Sequence, residues 1–252
     1  MQKTGQSAQP SPITDVIDKI TNLVAGSSEF DPEAVKGRGV VITGSAGGVG
    51  YAYADKFLEY GLKVVLCDIS PKVSEAEAAL KAKHEGAQVF STVCDVSDKQ
   101  SVEALASFAQ DKLGTIHYWI NNAGINGGRV EFMDVPIEQV EAVVKVNLLG
   151  ALVCTHYAMR LMSKQPGVTS HIFNTVGSGV KGGGTPGYVC YGATKRGQPQ
   201  MTASLAAELS KGVQVRVLVS VRVASLACGR RIRFGTGRIG RGRTVCAALH
   251  TA

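Results

Sequence analysis

Cysteine pairs, clustered histidines and long apolar runs are all missing from this 252-residue chain. None of the six cysteines belongs to a CxxC pair. The sequence therefore predicts reduced thiols, with neither a disulfide framework nor a metal site. The five histidines show no metal-ligand spacing. No apolar stretch reaches about 18 residues, which predicts that there is no transmembrane helix. With 44% hydrophobic residues, the chain can still bury a normal globular core.

Acidic residues are absent from the end of the chain. Residues 209–252 hold one lysine, eight arginines and no acid, whereas the remaining residues carry 18 basic and 20 acidic side chains. The net charge of +7 is therefore a property of this tail. A basic tail can attract nucleic acid. Only Phe234 accompanies the arginines as an aromatic platform, so nucleic-acid binding is not expected.

Apolar segments alternate with helical patterns from residue 40 onwards. The expected strands are apolar and cover residues 40–42, 63–67, 87–93, 117–120, 171–174 and 213–223. The expected helices lie between them, at residues 50–60, 71–84, 98–113, 137–163 and 189–210, with Asp98 as an N-cap. This alternation predicts an α/β fold, a Rossmann-like doubly wound parallel sheet of about six strands.

The stretch TGSAGGVG, residues 43–50, follows the first expected strand and opens the first helix. Glycine lets the backbone bend tightly and lets an anion approach the free N–H groups of a helix N-terminus. Asp68 closes the second strand 18 residues after Gly50, near the place where a carboxylate bonds the ribose hydroxyls of a dinucleotide. The pattern predicts a dinucleotide site. A ligand-free glycine turn, with Asp68 as a cap, is the alternative.

The spacing Gly-x3-Gly-x-Gly after Thr43 resembles that of the short-chain dehydrogenase/reductase family. Other motifs agree with that family in order and spacing, over residues 40–215. They are Cys94-Asp95-Val96, Asn121-Asn122-Ala123-Gly124, Asn147 within a helix, Ser178 placed 13 residues before Tyr191, and the pair Tyr191-x3-Lys195.

The resemblance implies two sets of site residues. The catalytic set is Ser178, Tyr191, Lys195 and Asn147. The cofactor-binding set is Thr43, Gly44, Ser45, Gly48, Val49, Gly50, Asp68, Asp95, Val96, Asn122, Ala123, Gly124, Tyr191 and Lys195. Asn121 and Asn122 are also expected to bridge strands rather than to take part in catalysis.

Tyr191 and Lys195 are one helical turn apart and so share a helix face. A free tyrosine titrates near pH 10, and lowering its pKa by about three units takes roughly 4 kcal/mol of preference for the phenolate. A nearby ammonium and a bound nicotinamide cation would supply that preference. Ser178 would hold the substrate carbonyl. Asn147 is a weak helix former with two explanations, a water relay from Lys195 to solvent or a helix irregularity before Gly150.

Several stretches are similar to the chlorophyll b reductases within this family. They are WINNAGING (119–127), HIFN with the following GSG (171–179), TP (185–186) and YGATKRG (191–197). This resemblance implies an NAD(P)H-dependent carbonyl reductase that converts the 7-formyl group of chlorophyll(ide) b to 7-hydroxymethyl. It implies a chloroplast, thylakoid-associated location, with the cytoplasm as the alternative. It also implies a small-molecule carbonyl substrate and a possible homo-oligomer or related reductase partner. The alternatives are a catalytically impaired dinucleotide-binding protein and a short-chain alcohol dehydrogenase or ketoreductase with another substrate.

Two features depart from the pattern of these relatives. The family implies NADPH, but Asp68 would repel a 2′-phosphate and neither Ala46 nor Gly47 supplies a basic side chain, so charge favours NADH. After the sixth strand the family continues with a Pro-Gly turn, a substrate lobe and a seventh strand, whereas no proline follows Pro199 here. The sheet is therefore expected to be truncated at its C-terminal end, with the seventh strand absent.

Three segments are expected along the chain. Residues 1–36 form an N-terminal extension that is partly disordered and carries a short helix at residues 13–25. Residues 37–220 form the dinucleotide-binding catalytic domain, and residues 221–252 form an irregular Arg/Gly-rich tail. The extension lacks the Arg-rich, acid-poor composition of a plastid transit peptide and shows no secretory apolar region.

Overall fold

The computed structural model describes residues 32–177, 180, 183–208, 213–219, 237–238 and 244–245. Its main strands are β1 (Gly39–Thr43), β2 (Lys63–Asp68), β3 (Val89–Val93), β4 (Ile116–Asn121), β5 (Ser170–Val176) and β6 (Val213–Val219). The helices between them are α1 (Gly48–Glu59), α2 (Val73–Lys83), α3 (Lys99–Leu113), α4 (Ile137–Met162) and α5 (Val189–Glu208). The expected helix at residues 13–25 lies outside the described residues, as does most of the arginine-rich tail.

The six strands form one parallel sheet in the order β3-β2-β1-β4-β5-β6. The predicted Rossmann-like α/β fold is therefore confirmed. The chain leaves β3 at one edge and crosses to β4 on the other side of β1. In such sheets ligands bind beyond the carboxyl ends of the strands where the order reverses. The fold thus places a site at the ends of β1 and β4.

Side chains of the central strands are buried on both faces of the sheet. Val40 and Ile42 pack on one face with Phe57 of α1, whereas Val41 packs on the other with Trp119 of β4. Every residue of β1 is buried. This explains why the strand is a continuous apolar run rather than an alternating one.

Helix α4 is continuous but irregular, because residues Lys145–Gly150 form a π-helical turn in its middle. The helix has the length and hydropathy of a membrane span, contrary to the expectation that no segment would. It nevertheless packs against α3, α5, β4 and β5, and it buries Asn147 completely. These contacts are those of a core helix in a layered α/β fold. Such a helix can be as long and as apolar as a membrane-spanning helix.

A chain of buried polar side chains ties α4 and α5 to the sheet. Asn121 Nδ2 donates to Asn174 Oδ1 and to Thr155 Oγ1, both at 2.8 Å, and Asn121 Oδ1 accepts from Trp119 Nε1 at 3.0 Å. Asn174 Nδ2 then donates to Thr202 Oγ1 at 3.1 Å. Asn121 therefore bridges strands, as the sequence predicted, and the chain sets the position of α5 over β5.

The described residues also include a helix cap and a pair of short strands. Asp98 caps α3 by accepting hydrogen bonds from Gln100 N and Ser101 N at 3.3 and 3.0 Å, which confirms the predicted N-cap. Within the tail, the two-residue strands Gly237–Arg238 and Thr244–Val245 pair antiparallel.

Candidate active site

The glycine turn between β1 and α1 leaves the start of the helix open. No side chain caps α1, whose N-cap is Gly47. Gly44 and Gly48 have φ angles of +65° and +57°, a region that other residues rarely adopt. A Cβ atom at Gly47 or Gly48 would meet nothing within 4 Å. The turn is therefore open beside the start of α1, whose first N–H groups have no partner within the helix, and this arrangement fits the pyrophosphate of a dinucleotide.

Close packing behind the turn explains two further glycines. A Cβ atom at Gly44 would lie 2.7 Å from Ala123 Cα, and one at Gly50 would overlap the Gly44 carbonyl oxygen. Any side chain at these positions would push α1 away from the ends of β1 and β4. Val49 lies in the first turn of α1 and packs against the apolar core.

Side chains predicted to bind cofactor hold the glycine turn in place. Thr43 Oγ1 accepts hydrogen bonds from Asn122 N and Ala123 N, each at 3.0 Å. Asn122 Nδ2 donates to the carbonyls of Thr43 and Gly44 at 3.1 and 2.9 Å. The Ser45 hydroxyl is fully buried. These three polar side chains therefore support the turn from behind, and the expected strand-bridging role of Asn122 is confirmed.

Two aspartates lie at the carboxyl ends of neighbouring strands. Asp68 accepts hydrogen bonds from Ala46 N and Ser70 N, both at 3.0 Å. The carboxylate therefore touches the glycine turn directly, and its oxygens keep lone pairs for ribose hydroxyls. Asp95 accepts from Ser97 N and Oγ at 2.8 and 2.7 Å, and Val96 beside it is buried.

Tyr191 and Lys195 are brought to the end of β5 by helix α5. The Lys195 side chain is 3% exposed, and its Nζ donates to the Thr175 carbonyl at 2.8 Å. Lys195 Nζ lies 5.8 Å from the centroid of the Tyr191 ring. The Tyr191 hydroxyl lies against Gly177, where a Cβ atom would overlap it. Ser178, the next residue, lies outside the described residues, so its convergence with Tyr191 stays a prediction.

Asn147 clamps the loop after β4 to helix α5. Its Oδ1 accepts from Ile125 N and its Nδ2 donates to Ile125 O, both at 2.8 Å. The same Nδ2 lies 3.2 Å from Thr194 Oγ1. The helix irregularity considered for Asn147 is present as the π-helical turn. A Cβ atom at Gly124 would lie 3.1 Å from Asn147 Oδ1 and 3.4 Å from Lys195 Nζ. A side chain at position 124 would therefore press on Asn147 and contact Lys195.

Gln198 belongs to the site but was not predicted from the sequence. Its Nε2 donates to the backbone carbonyl of Asn147 at 2.8 Å, the 198 side chain is 1% exposed, and Gln198 Oε1 is buried without a hydrogen-bond partner among the described residues. The signal was its place three residues after Lys195, on the same helix face. Any water relay through the Asn147 carbonyl must share that oxygen with Gln198.

Known proteins resemble this chain in both sequence and structure. A sequence profile described as short chain dehydrogenase matches residues 38–229. The chain belongs to the short-chain dehydrogenase family. A short-chain dehydrogenase/reductase from Burkholderia phymatum, solved in complex with NAD, is 29% identical, with a TM-score of 0.68. The match covers 73% of this chain and 65% of that one.

Two curated relatives of the family are chlorophyll(ide) b reductases named NOL, chloroplastic. The protein of Oryza sativa subsp. japonica is 41% identical over 182 residues, which cover 71% of this chain and 53% of the relative. The protein of Arabidopsis thaliana is 38% identical over 191 residues, covering 75% and 53%. The chain thus spans about half the length of these relatives.

Burial affects the protonation of the lysine in the Tyr191 and Lys195 pair. Burial lowers the pKa of Lys195 to about 8. The ammonium is therefore present at neutral pH beside the Tyr191 ring, where its field favours the phenolate over the phenol. Above about pH 8 the folded protein loses this charge.

Replacing Lys195 with methionine is expected to stabilise the fold at neutral pH. In an unfolded chain lysine titrates near pH 10.4, above the folded value of about 8. Between these values the unfolded chain binds a proton that the folded protein does not, so stability rises with pH. Lys195→Met should raise the free energy of unfolding by about 2 kcal/mol at pH 7 and by less than about 1 kcal/mol at pH 10.

Urea unfolding followed by the fluorescence of Trp119, the one tryptophan, measures both values. The exposed Lys164 provides a matched Lys164→Met control, which should stay within about 0.5 kcal/mol of the wild type. A Lys195→Met protein that is less stable than the wild type at both pH values would contradict a costly buried ammonium.

Proposed function

We propose that this chain is an NAD(P)H-dependent carbonyl reductase that converts the 7-formyl group of chlorophyll(ide) b to 7-hydroxymethyl. The observation that carries the reductase assignment is the buried Lys195 ammonium, 5.8 Å from the Tyr191 ring. The chlorophyll(ide) b substrate is supported by the matching sequence stretches and by the two relatives that carry this name.

In the proposed reaction Tyr191 donates its proton to the carbonyl oxygen of the formyl group. A bound NAD(P)H supplies the hydride for the carbonyl carbon. The Lys195 ammonium stabilises the phenolate that remains, which lowers the cost of the proton transfer. Ser178 follows Gly177, which contacts Tyr191, and we assign it the hydrogen bond that holds the carbonyl oxygen. Asn147 holds the loop after β4 against α5, the helix that carries Lys195.

The open N-terminus of α1 supports binding of the cofactor pyrophosphate, and Asp68 supports the choice between cofactors. Its carboxylate accepts a hydrogen bond from Ala46 N in the glycine turn. An adenosine 2′-phosphate near this carboxylate would meet like charge, whereas ribose hydroxyls would meet an acceptor. We therefore propose NADH as the preferred cofactor, although the family resemblance implies NADPH.

The location and partners follow from the proposed substrate. We propose that the protein acts in the chloroplast, at the thylakoid, and the word chloroplastic in the names of both relatives supports the chloroplast. Helix α4 exposes Leu149 and Leu152 by 45% and 43%. We propose that this apolar face packs against a second copy or a related reductase.

The reaction is tested by incubating the protein with chlorophyllide b and NADH or NADPH, and separating the 7-hydroxymethyl product by chromatography. Tyr191→Phe should lower kcat at least about 100-fold, because the phenol is the proton donor. NADH binding, followed by nucleotide fluorescence, should persist. Tyr157→Phe is the matched control, since this tyrosine lies on α4 and contacts Glu103.

Three results would contradict the proposal in different ways. Turnover of other carbonyls but not of chlorophyllide b would favour a short-chain dehydrogenase with another substrate. NADH binding without any turnover would favour the impaired dinucleotide-binding protein. Full activity of Tyr191→Phe would refute the role of the phenol.

The cofactor preference is tested by Asp68→Asn. Removal of the carboxylate charge should raise the ratio of kcat/KM with NADPH to kcat/KM with NADH about tenfold, because repulsion of the 2′-phosphate is lost. Asp111→Asn alters an exposed aspartate on α3 that pairs with Lys112, and it should leave the ratio unchanged. A wild-type protein that prefers NADPH would contradict the assignment.

A further inference from the structure

Two segments meet at the mouth of the candidate site. One is the loop after β4, and the other is the turn that leads into α5. Val130 N donates to the Gly187 carbonyl at 3.1 Å, and Tyr188 N closes the turn by donating to the Thr185 carbonyl at 2.9 Å. Gly187 lies four residues before Tyr191. The loop is therefore fastened close to the proposed proton donor.

Arg129 lies across this junction. A Cβ atom at Gly187 would come within 2.8 Å of Arg129 Cγ and 3.6 Å of Arg129 Nε. Gly187 also has a φ angle of +76°, which other residues rarely adopt. Because residue 187 is glycine, the space beside its Cα atom is free, and the aliphatic part of the Arg129 side chain occupies that space.

The Arg129 guanidinium carries no ion pair in the described part of the chain. Six lysines do pair with acids within 4.0 Å, namely Lys36, Lys56, Lys81, Lys83, Lys112 and Lys145. Glu131 is only two residues from Arg129, yet it forms no such pair with it. Arg129 is exposed, so its guanidinium is available to an anion from solution. A guanidinium can bind a carboxylate through two parallel hydrogen bonds.

A shallow surface depression lies beside this junction. It is lined from both segments, by residues that include Gly127, Gly128, Val135, Gly187 and Tyr188. Its walls combine the apolar side chains of Val135 and Val143 and the Tyr188 ring with the amides of Asn126 and Gln139. Because Arg129 contacts Gly187 at its border, a ligand lying against this surface would have the guanidinium beside it.

We propose that Arg129 binds the carboxylate of the substrate and so makes the protein selective for the free acid over its ester. This inference rests on the proposed function, since chlorophyllide b carries a free propionate and chlorophyll b carries the same group as an ester. Arg129 is a specificity-determining residue that acts at a distance from the reacting formyl group.

The test compares chlorophyllide b with its methyl ester, which differ only at the propionate. The wild-type ratio of kcat/KM for the acid to kcat/KM for the ester should be about tenfold or more, because a charge-assisted pair is lost with the ester. Arg129→Gln should bring the ratio close to one, and Arg129→Lys should restore part of it. Raised salt should lower the wild-type ratio.

Arg160→Gln is the matched control. Arg160 is an exposed arginine in the last turn of α4. The chain that follows this turn bonds to Ile116 at the start of β4, whereas the site lies at the carboxyl ends of the strands, so this variant should keep the wild-type ratio. Thermal unfolding and NADH binding establish that each variant is folded.

The outcomes separate this inference from the proposed function. Equal ratios in the wild type and Arg129→Gln, with both compounds turned over, would refute the role of Arg129 and leave the reductase assignment intact. No turnover of either compound by a wild-type protein that binds NADH would refute the proposed function itself.

Discussion

The Lys195 ammonium lies in the protein interior, where it has one hydrogen bond to a backbone carbonyl. This buried charge constrains the helix and the polar side chains around it. Lys195 Nζ donates to Thr175 O at 2.8 Å, and burial lowers the pKa of this amine to about 8. No carboxylate pairs with it among the described residues, so the charge is compensated mainly by dipoles. Such an arrangement costs stability. It also leaves the field of the ammonium unscreened beside Tyr191.

Two groups of buried amides hold the helix that carries this charge. Asn121 and Asn174 connect β4 and β5 to Thr202 near the end of α5. Asn147 connects the loop after β4 to Thr194, in the turn between the tyrosine and the lysine. Because buried polar groups are costly when unpaired, each amide specifies one position of α5. These amide hydrogen bonds position α5, and with it the backbone of Lys195, in addition to the bond that Lys195 itself makes.

The elements of the fold could be predicted because their signals are local. The apolar run of β1, the glycine turn and the Asp98 cap each follow from a few neighbouring residues. The site residues were predicted through their family spacing, and the structure adds the contacts of those that it describes, which do not include Ser178. Thr43 and Ser45 face the back of the glycine turn, which spacing alone does not distinguish from contact with a cofactor.

The remaining features depend on contacts between distant segments, which a sequence pattern does not contain. The π-helical turn forms where Asn147 meets both Ile125 and Thr194. Gln198 reaches Asn147 from another helix. Arg129 can pack against position 187, which lies 58 residues later in the sequence, because Gly187 has no side chain.

The titration of Lys195 itself tests the account most directly. Lysine side chains labelled with carbon-13 at Cε can be followed by nuclear magnetic resonance between pH 6 and 11, with Lys195→Met assigning the resonance. The account predicts that Lys195 titrates near pH 8, well below the value of about 10.4 for a lysine in an unfolded chain. A Lys195 resonance that titrates with the exposed lysines would show that the ammonium is solvated, and the proposed role beside Tyr191 would be contradicted.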